Sequence, residues 1–286
     1  MRRMRRIRIR AGFKQRMLSI CLFFAVIIIC IMEQNVIKTY QVIRNVDSFR
    51  TFQIDTKLWQ ELEEKYGRKT PEFYDKLTIC MLQTGFHPDR NPKNLPGFFY
   101  KTGILRSKYM EYENMYQTIL EDIECFPVGE DIQGGETTSF DDSWGGVRTY
   151  GGKRKHEGTD IMTSNNKRGY FPVISMTDGV VEKQGWLPKG GYRIGVRSPE
   201  GGYYYYAHLH SYAKGMKEGK TVRKGELLGL MGDTGYSEIE GTVGNFSVHL
   251  HMGIYLDYKG EEMSVNPYYI LKYYEDKKVK FCFKNE

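Results

Sequence analysis

Apolar and polar positions change rhythm three times along the 286 residues. Residues 17–32 (MLSICLFFAVIIICIM) form an unbroken apolar run with Ser19 as the only polar side chain. Residues 33–54 are polar with scattered apolar positions and no period, which reads as a connector. From 55 to 126 the pattern turns helical. Leu58, Leu62 and Tyr66 share one face. Thr70-Pro71-Glu72 reads as an N-cap, a proline at the first helical position and an acid in the first turn, ahead of a face made by Phe73, Leu77, Cys80 and Met81. Tyr109, Tyr112, Tyr116, Ile119, Leu120 and Ile123 repeat the 3.6-residue period in a further helix. Residues 83–101, rich in Pro, Gly and Asn, read as a loop. From 127 the helical period disappears, and short runs at 173–176, 179–183, 192–197, 203–208, 227–231 and 248–255 read as strands separated by glycine-rich turns. The expected fold is mainly β: an antiparallel sheet domain over 127–275, closed or sandwich-like, with a short helix at 267–274. A transmembrane helix and a small α-helical domain (55–126) precede it, and a tail (276–286) follows.

Sixteen residues reach about 24 Å as a helix at ~1.5 Å each, short of a ~30 Å hydrocarbon core. Lys14 and Arg16 can snorkel, and local thinning supplies the rest. A cleaved signal peptide is the rival reading, but the run ends Ile-Cys-Ile-Met-Glu, bulky where a signal peptidase needs small side chains. A lipoprotein signal fails too, because Cys21 and Cys30 each follow Ile. Residues 1–16 hold eight basic side chains (Arg2, Arg3, Arg5, Arg6, Arg8, Arg10, Lys14 and Arg16) and no acid. The positive-inside rule therefore places this tail in the cytoplasm and residues 33–286 outside, as a single-pass protein of the cell membrane.

Composition then narrows the classes. The net charge is +7, so removing the tail's eight charges leaves −1 for the remainder, and a nucleic-acid surface has no support. A mean hydropathy of −0.54 excludes a polytopic membrane protein. Twenty-two Tyr, 15 Phe and 3 Trp exclude bulk disorder. Of five cysteines, Cys80, Cys125 and Cys282 face outward. Three cannot all pair internally, although one bridge, Cys80–Cys125, is compatible with the count.

Five of the six histidines fall between 156 and 251, as His156-Glu-Gly-Thr-Asp160, His208-Leu-His210 and His249-Leu-His251. In a strand, positions i and i+2 share a face, so each His-x-His pair is expected to project both imidazoles together. Val248, Leu250, Met252 and Ile254 then form a buried apolar face behind the second pair. Imidazole with carboxylate suits a divalent cation, zinc first, and a catalytic zinc takes three protein ligands plus water. Histidines in surplus of three can handle the water's proton and steady an oxyanion. Spacing alone leaves open which three bind, and a three-histidine arrangement fits equally.

The run from about 127 to 275 resembles the M23 zinc metallopeptidases, the lysostaphin- or LytM-like peptidoglycan hydrolases. His156-Glu-Gly-Thr-Asp160-Ile161 is similar to the family's first motif, Tyr206-Ala-His208-Leu209 to its central motif, and His249-Leu-His251 to its last. Asp178-Gly-Val-Val181, the run from Val222 to Gly229, and Gly232-Asp-Thr-Gly235 agree with it. The segment from Gly235 to Val248 is longer than the family's usual lead into His-Leu-His and lacks its proline, which alters the groove rim. The resemblance implies one zinc ion held by His156, Asp160 and His251, with His208 and His249 as catalytic residues. It also implies a membrane-anchored endopeptidase that cuts stems or cross-bridges of peptidoglycan, with a non-catalytic LytM-like scaffold or regulator of another hydrolase as the alternative. His210 lies outside the implied set and reads as a surface residue, His87 as unrelated, and Glu157 as no general base. Tyrosines 203–206 alternate faces between core and groove wall, Trp144 and Trp186 read as core or rim, and the acids of 55–126 as solvated helix faces.

Overall fold

A computed structural model describes residues 2–89 and 95–282, with side chains from residue 12 onward. The side chains of six basic residues in the tail, part of the 83–101 loop, and the last residues of the 276–286 tail lie outside the described residues.

Helix α1 spans Arg2–Ile43 without a break. Its apolar stretch packs against nothing among the described residues, with Leu18 61% and Phe23 63% exposed, and it is long and apolar enough to cross a membrane. The helix does not stop at residue 32. It continues through the first half of the expected connector and enters the core, where Thr39 and Ile43 are buried. Phe49, Phe52 and Ile54 follow it inside. Phe49 sits on α2 (Asp47–Arg50), its ring within 6.0 Å of those of Phe52, Phe86, Tyr112 and Tyr116. The connector shows no period because its apolar residues enter the core from a helix end, a four-residue helix and a turn in succession.

Helices α3 (Thr56–Tyr66), α4 (Pro71–Thr84), α5 (Gly97–Tyr100) and α6 (Arg106–Leu120) follow. Asp55 caps α3 and Thr70 caps α4, each side chain accepting from the backbone N–H three residues on. Gly85, at φ +64°, ends α4 in the left-handed conformation that costs glycine least. The buried face of α3 is Trp59 and Leu62 rather than Leu58 and Tyr66, because Trp59 stacks at 4.1 Å on Tyr273 of the last helix, α7 (Tyr268–Tyr274). Cys80 and Cys125 are separate free thiols, the second buried with its Sγ toward the Ser175 carbonyl, so no bridge joins them.

The strands are β1 (Glu130–Asp131), β2 (Thr138–Phe140), β3 (Val147–Arg148), β4 (Arg154–Lys155), β5 (Thr159–Thr163), β6 (Pro172–Ile174), β7 (Gly179–Leu187), β8 (Gly191–Arg197), β9 (Tyr203–Tyr212), β10 (Thr221–Val222), β11 (Leu227–Met231), β12 (His249–Tyr258), β13 (Glu261–Val265) and β14 (Lys280–Phe281). Ten form one antiparallel sheet ordered β10-β7-β8-β9-β12-β5-β2, with β11 joining β6 to β9 and β13 flanking β12. Each of the six expected runs overlaps a strand of this sheet, whereas its β2, β5, β10 and β13 carry no such pattern in the sequence. Strands β3 and β4 make a separate hairpin, and β1 and β14 a short parallel pair.

One face of the sheet is core. Ile194, Val196, Tyr204, Tyr206, Leu250, Met252 and Ile254 are fully buried there. Tyr204 Oη donates to the Ile119 carbonyl at 2.6 Å, joining the sheet to α6. Helices and sheet share one continuous core. The opposite face carries the histidines.

Candidate metal centre and catalytic pocket

Strand alternation on β12 sends Leu250 and Met252 inward and leaves His249 and His251 on the other face. The register places Asp160 of β5 opposite His251, and Ala207 of β9 on its other side. His156 arrives from the loop before β5, its backbone N–H donating to the Gly146 carbonyl and its own carbonyl accepting from Gly145, both at 2.7 Å. Gly158 lets this loop close: a Cβ there would lie 2.6 Å from His251 Cε1 and from the Met252 carbonyl oxygen.

Three donor atoms converge as a result. His156 Nε2 lies 2.9 Å from His251 Nδ1 and 3.1 Å from Asp160 Oδ1, and the last two are 3.0 Å apart. A tetrahedral zinc site with bonds of ~2.0–2.2 Å has ligand–ligand edges of about 3.4 Å, so this triangle needs to open by only a few tenths. Two imidazoles and a carboxylate also match the donor set of catalytic zinc sites. The residues fit a metal ion. The His156 ring is fixed for that role, since its Nδ1 donates to the Ser143 carbonyl at 2.9 Å and Nε2 keeps its lone pair.

His208 and His249 stand beside the triangle, their ring centres 4.7 Å apart. Each is locked through Nδ1, His208 donating to the Thr234 carbonyl at 2.8 Å and His249 to Ser247 at 2.7 Å. A carbonyl can only accept, so in both neutral rings Nε2 is the free acceptor. His249 Nε2 lies 3.8 Å from Asp160 Oδ1. Burial holds His208 well below the usual imidazole pKa, and the charges of His249 and His251 push the same way. For Asp160, burial would raise the pKa, but hydrogen bonds with His156 and His251 and the nearby imidazole charge more than reverse it, holding the carboxyl well below its usual range.

His210 departs from the expectation that both members of its pair share a face. β9 bulges against β8, where Tyr192 opposes Leu209 but Ile194 opposes Tyr206. At the irregularity His208 adopts φ +64°, and its backbone N–H turns to the Gly190 carbonyl. The slip aims His208 into the pocket and leaves His210 exposed beside Gly169. His87 is remote, its Nδ1 beside Gln53 Oε1.

With this geometry in place, likeness to known proteins becomes informative. Residues 154–267 match peptidase family M23. A solved structure from Ruminococcus gnavus, assigned as a glycyl-glycine endopeptidase LytM, is 38% identical with a TM-score of 0.71, over 86% of this chain and 99% of that one. The chain belongs to peptidase family M23. Two curated relatives match over shorter stretches. The L-Ala–D-Glu endopeptidase of Bacillus subtilis is 44% identical over 137 residues, 48% of this chain and 40% of that protein. An uncharacterized metalloprotease of Haemophilus influenzae is 37% identical over 84 residues, 29% of this chain and 17% of that one. The chain thus spans less than half the length of either curated relative.

Around this M23 pocket stand residues the sequence did not single out. The guanidinium of Arg148 places Nη2 at 2.5 Å from Asp160 Oδ2, leaving Oδ1 to face the two imidazoles. Arg154 and Lys189 also line the pocket. The long segment after Gly235 folds back on itself through Gly235 N–H to the Thr242 carbonyl, and delivers Phe246 against His208 (4.6 Å) and His249 (5.1 Å). Its Tyr236 stacks on Tyr150 at 4.4 Å and 2°, forming one wall. The tyrosine run divides as alternation requires: Tyr204 and Tyr206 are core, and Tyr205 lines the pocket with Tyr255. Trp144 lies under Arg50, and Trp186 packs edge-on to Tyr192. No periodic signal marks Arg148, Arg154 or Tyr236, because they sit on short strands and loops where composition is the only cue.

Proposed function

We propose that this M23 chain is a zinc endopeptidase that hydrolyses peptide bonds in the stems or cross-bridges of peptidoglycan, held at the membrane by α1 with the pocket on the outer side. The observation that carries the reading is the convergence of three metal donors within 3.1 Å of one another, with two further imidazoles whose free Nε2 atoms border the same pocket. His156, Asp160 and His251 would hold the metal, which when bound supplies a polarised water and a Lewis acid for the scissile carbonyl. Arg148 holds the second oxygen of Asp160, so the carboxylate presents a single atom. His249 Nε2 accepts the proton of the attacking water. The imidazolium so formed then donates from Nε2 to the departing amine. His208, anchored by Thr234 and kept neutral by burial, presents its Nε2 as an acceptor that can orient the attacking water. The names of the relatives supply two candidate bonds, L-Ala–D-Glu and glycyl-glycine.

The test is digestion of purified peptidoglycan by the zinc-loaded full chain in detergent micelles, with His251→Ala in parallel and mass spectrometry of released fragments. New amine and carboxyl ends from the unsubstituted chain alone are expected. Fragments from both proteins would refute the ligand assignment. Release by neither would favour the scaffold reading.

A further inference from the structure

The sheet face that carries the histidines continues away from them as a floor of tyrosines. The register sets it: Gly253 and Tyr255 of β12 lie opposite Tyr205 and Tyr203 of β9, which lie opposite Gly195 and Arg197 of β8. The two glycines leave the space the rings occupy, since a Cβ on Gly195 or Gly253 would run into Tyr203 or Tyr255. Besides Arg197, whose guanidinium lies over the Tyr203 ring at 4.7 Å, two guanidinium groups border this floor. Arg154 of β4 lines the pocket together with His156, Tyr205 and His251, and its Nε is buried with no hydrogen-bond partner. Arg193 of β8 alternates with the core residue Ile194 and so faces the tyrosine side, where its Nη1 is likewise buried and unpartnered.

Other arginines around the groove are satisfied. Arg197 pairs with Glu182 at 2.6 Å and Arg148 with Asp160. Among the described residues neither Arg154 nor Arg193 makes such a pair. Both charges are felt at Tyr205, where burial raises the hydroxyl pKa and the two guanidiniums oppose the rise. A buried charged donor without an acceptor is unfavourable, and one on the pocket lining (Arg154) and a second on the strand that pairs with Tyr205 (Arg193) call for an anionic group that completes them. A guanidinium offers parallel donors matched to a carboxylate.

We propose that Arg154 and Arg193 form, around Tyr205, a subsite for a carboxylate carried by the substrate next to the scissile bond. The preferred substrate is then an acidic stem peptide, not an uncharged glycine bridge. This rests on the peptidase reading above and adds to it the class of bond.

The test uses the zinc-loaded full chain in micelles and three peptides: an L-Ala–D-Glu stem peptide, its carboxamide counterpart with D-Gln, and pentaglycine. Both kcat/KM and calorimetric affinity are measured for each, in the unsubstituted chain and in Arg154→Gln and Arg193→Gln. The carboxylate peptide should be favoured over the carboxamide by about 10- to 100-fold, expressed in KM, and the ratio should fall to within about threefold in either variant. If Arg193→Gln fails to fold, Arg193→Lys, which keeps the charge and loses the fork, should give an intermediate ratio. Equal turnover of carboxylate and carboxamide, or a preference surviving in both variants, would overturn the subsite and leave the peptidase reading standing. No turnover, with a binding preference lost in the variants, would support the subsite and overturn the peptidase reading. No turnover and no binding preference would overturn both.

Discussion

His208-Leu-His210 and His249-Leu-His251 are the same tripeptide on neighbouring strands, yet they end in different places. On β12 the backbone stays regular, alternation holds, and both imidazoles reach the pocket. On β9 the register slips, His208 turns to φ +64°, and His210 is carried out to solvent. A regular strand delivers a matched pair, whereas a bulge selects one member and aims it. A left-handed conformation at a non-glycine residue costs of order 1–3 kcal/mol and persists only where the surroundings impose it. Here those surroundings are the Gly190 carbonyl on the backbone N–H and the Thr234 carbonyl on the ring.

Four substitutions break or sharpen this contrast. The largest effect belongs to His251→Ala, which removes a donor from the regular pair. Metal content measured by elemental analysis should fall to near zero and turnover by more than about 10³-fold, with the far-ultraviolet circular dichroism unchanged. Full metal stoichiometry would remove His251 from the donor set. His208→Ala tests the bulged pair, and there the metal should stay bound while kcat drops by about 10²- to 10⁴-fold. Metal loss in that variant would mean that the bulge aims a ligand. Arg148→Gln leaves all five histidines in place and removes the guanidinium from Asp160 Oδ2 and from the His156 ring, so zinc affinity should weaken about 10- to 100-fold in a competition titration with a chelating dye. An unchanged affinity would show that the donor triangle holds its own geometry. His210→Ala should be almost silent, shifting stability by less than about 0.5 kcal/mol in a denaturant titration and leaving metal content intact. A loss of metal or activity would return His210 to the pocket.

The same contrast explains what could be read in the sequence. The His249 pair was legible because everything that places it is local, an alternation with Leu250, Met252 and Ile254 packed behind. The fate of His210 was not, because the slip depends on β8 and on Gly190, remote in sequence from any histidine. The first donors were legible as a spacing, but the reason the spacing closes is the missing side chain at Gly158, which only the approach of His251 reveals. Arg148, Arg154 and Tyr236 stayed hidden because two-residue strands and loops carry no period. The stretch from 33 to 54 looked like a linker for the opposite reason. It has ample apolar content, distributed over three local directions instead of one.

That stretch sets the geometry of any anchor. A flexible 22-residue linker would let the pocket wander over an r.m.s. span of about 26 Å. Instead, residues 33–43 rise about 16 Å as a rod, with Thr39 and Ile43 clamped in the core. With α1 read as a span, the pocket has a working altitude above the bilayer and no slack. Tilting or rotating the helix would steer the groove as a rudder post steers its blade, and on the proposed reading wall strands at other heights would stay out of its reach.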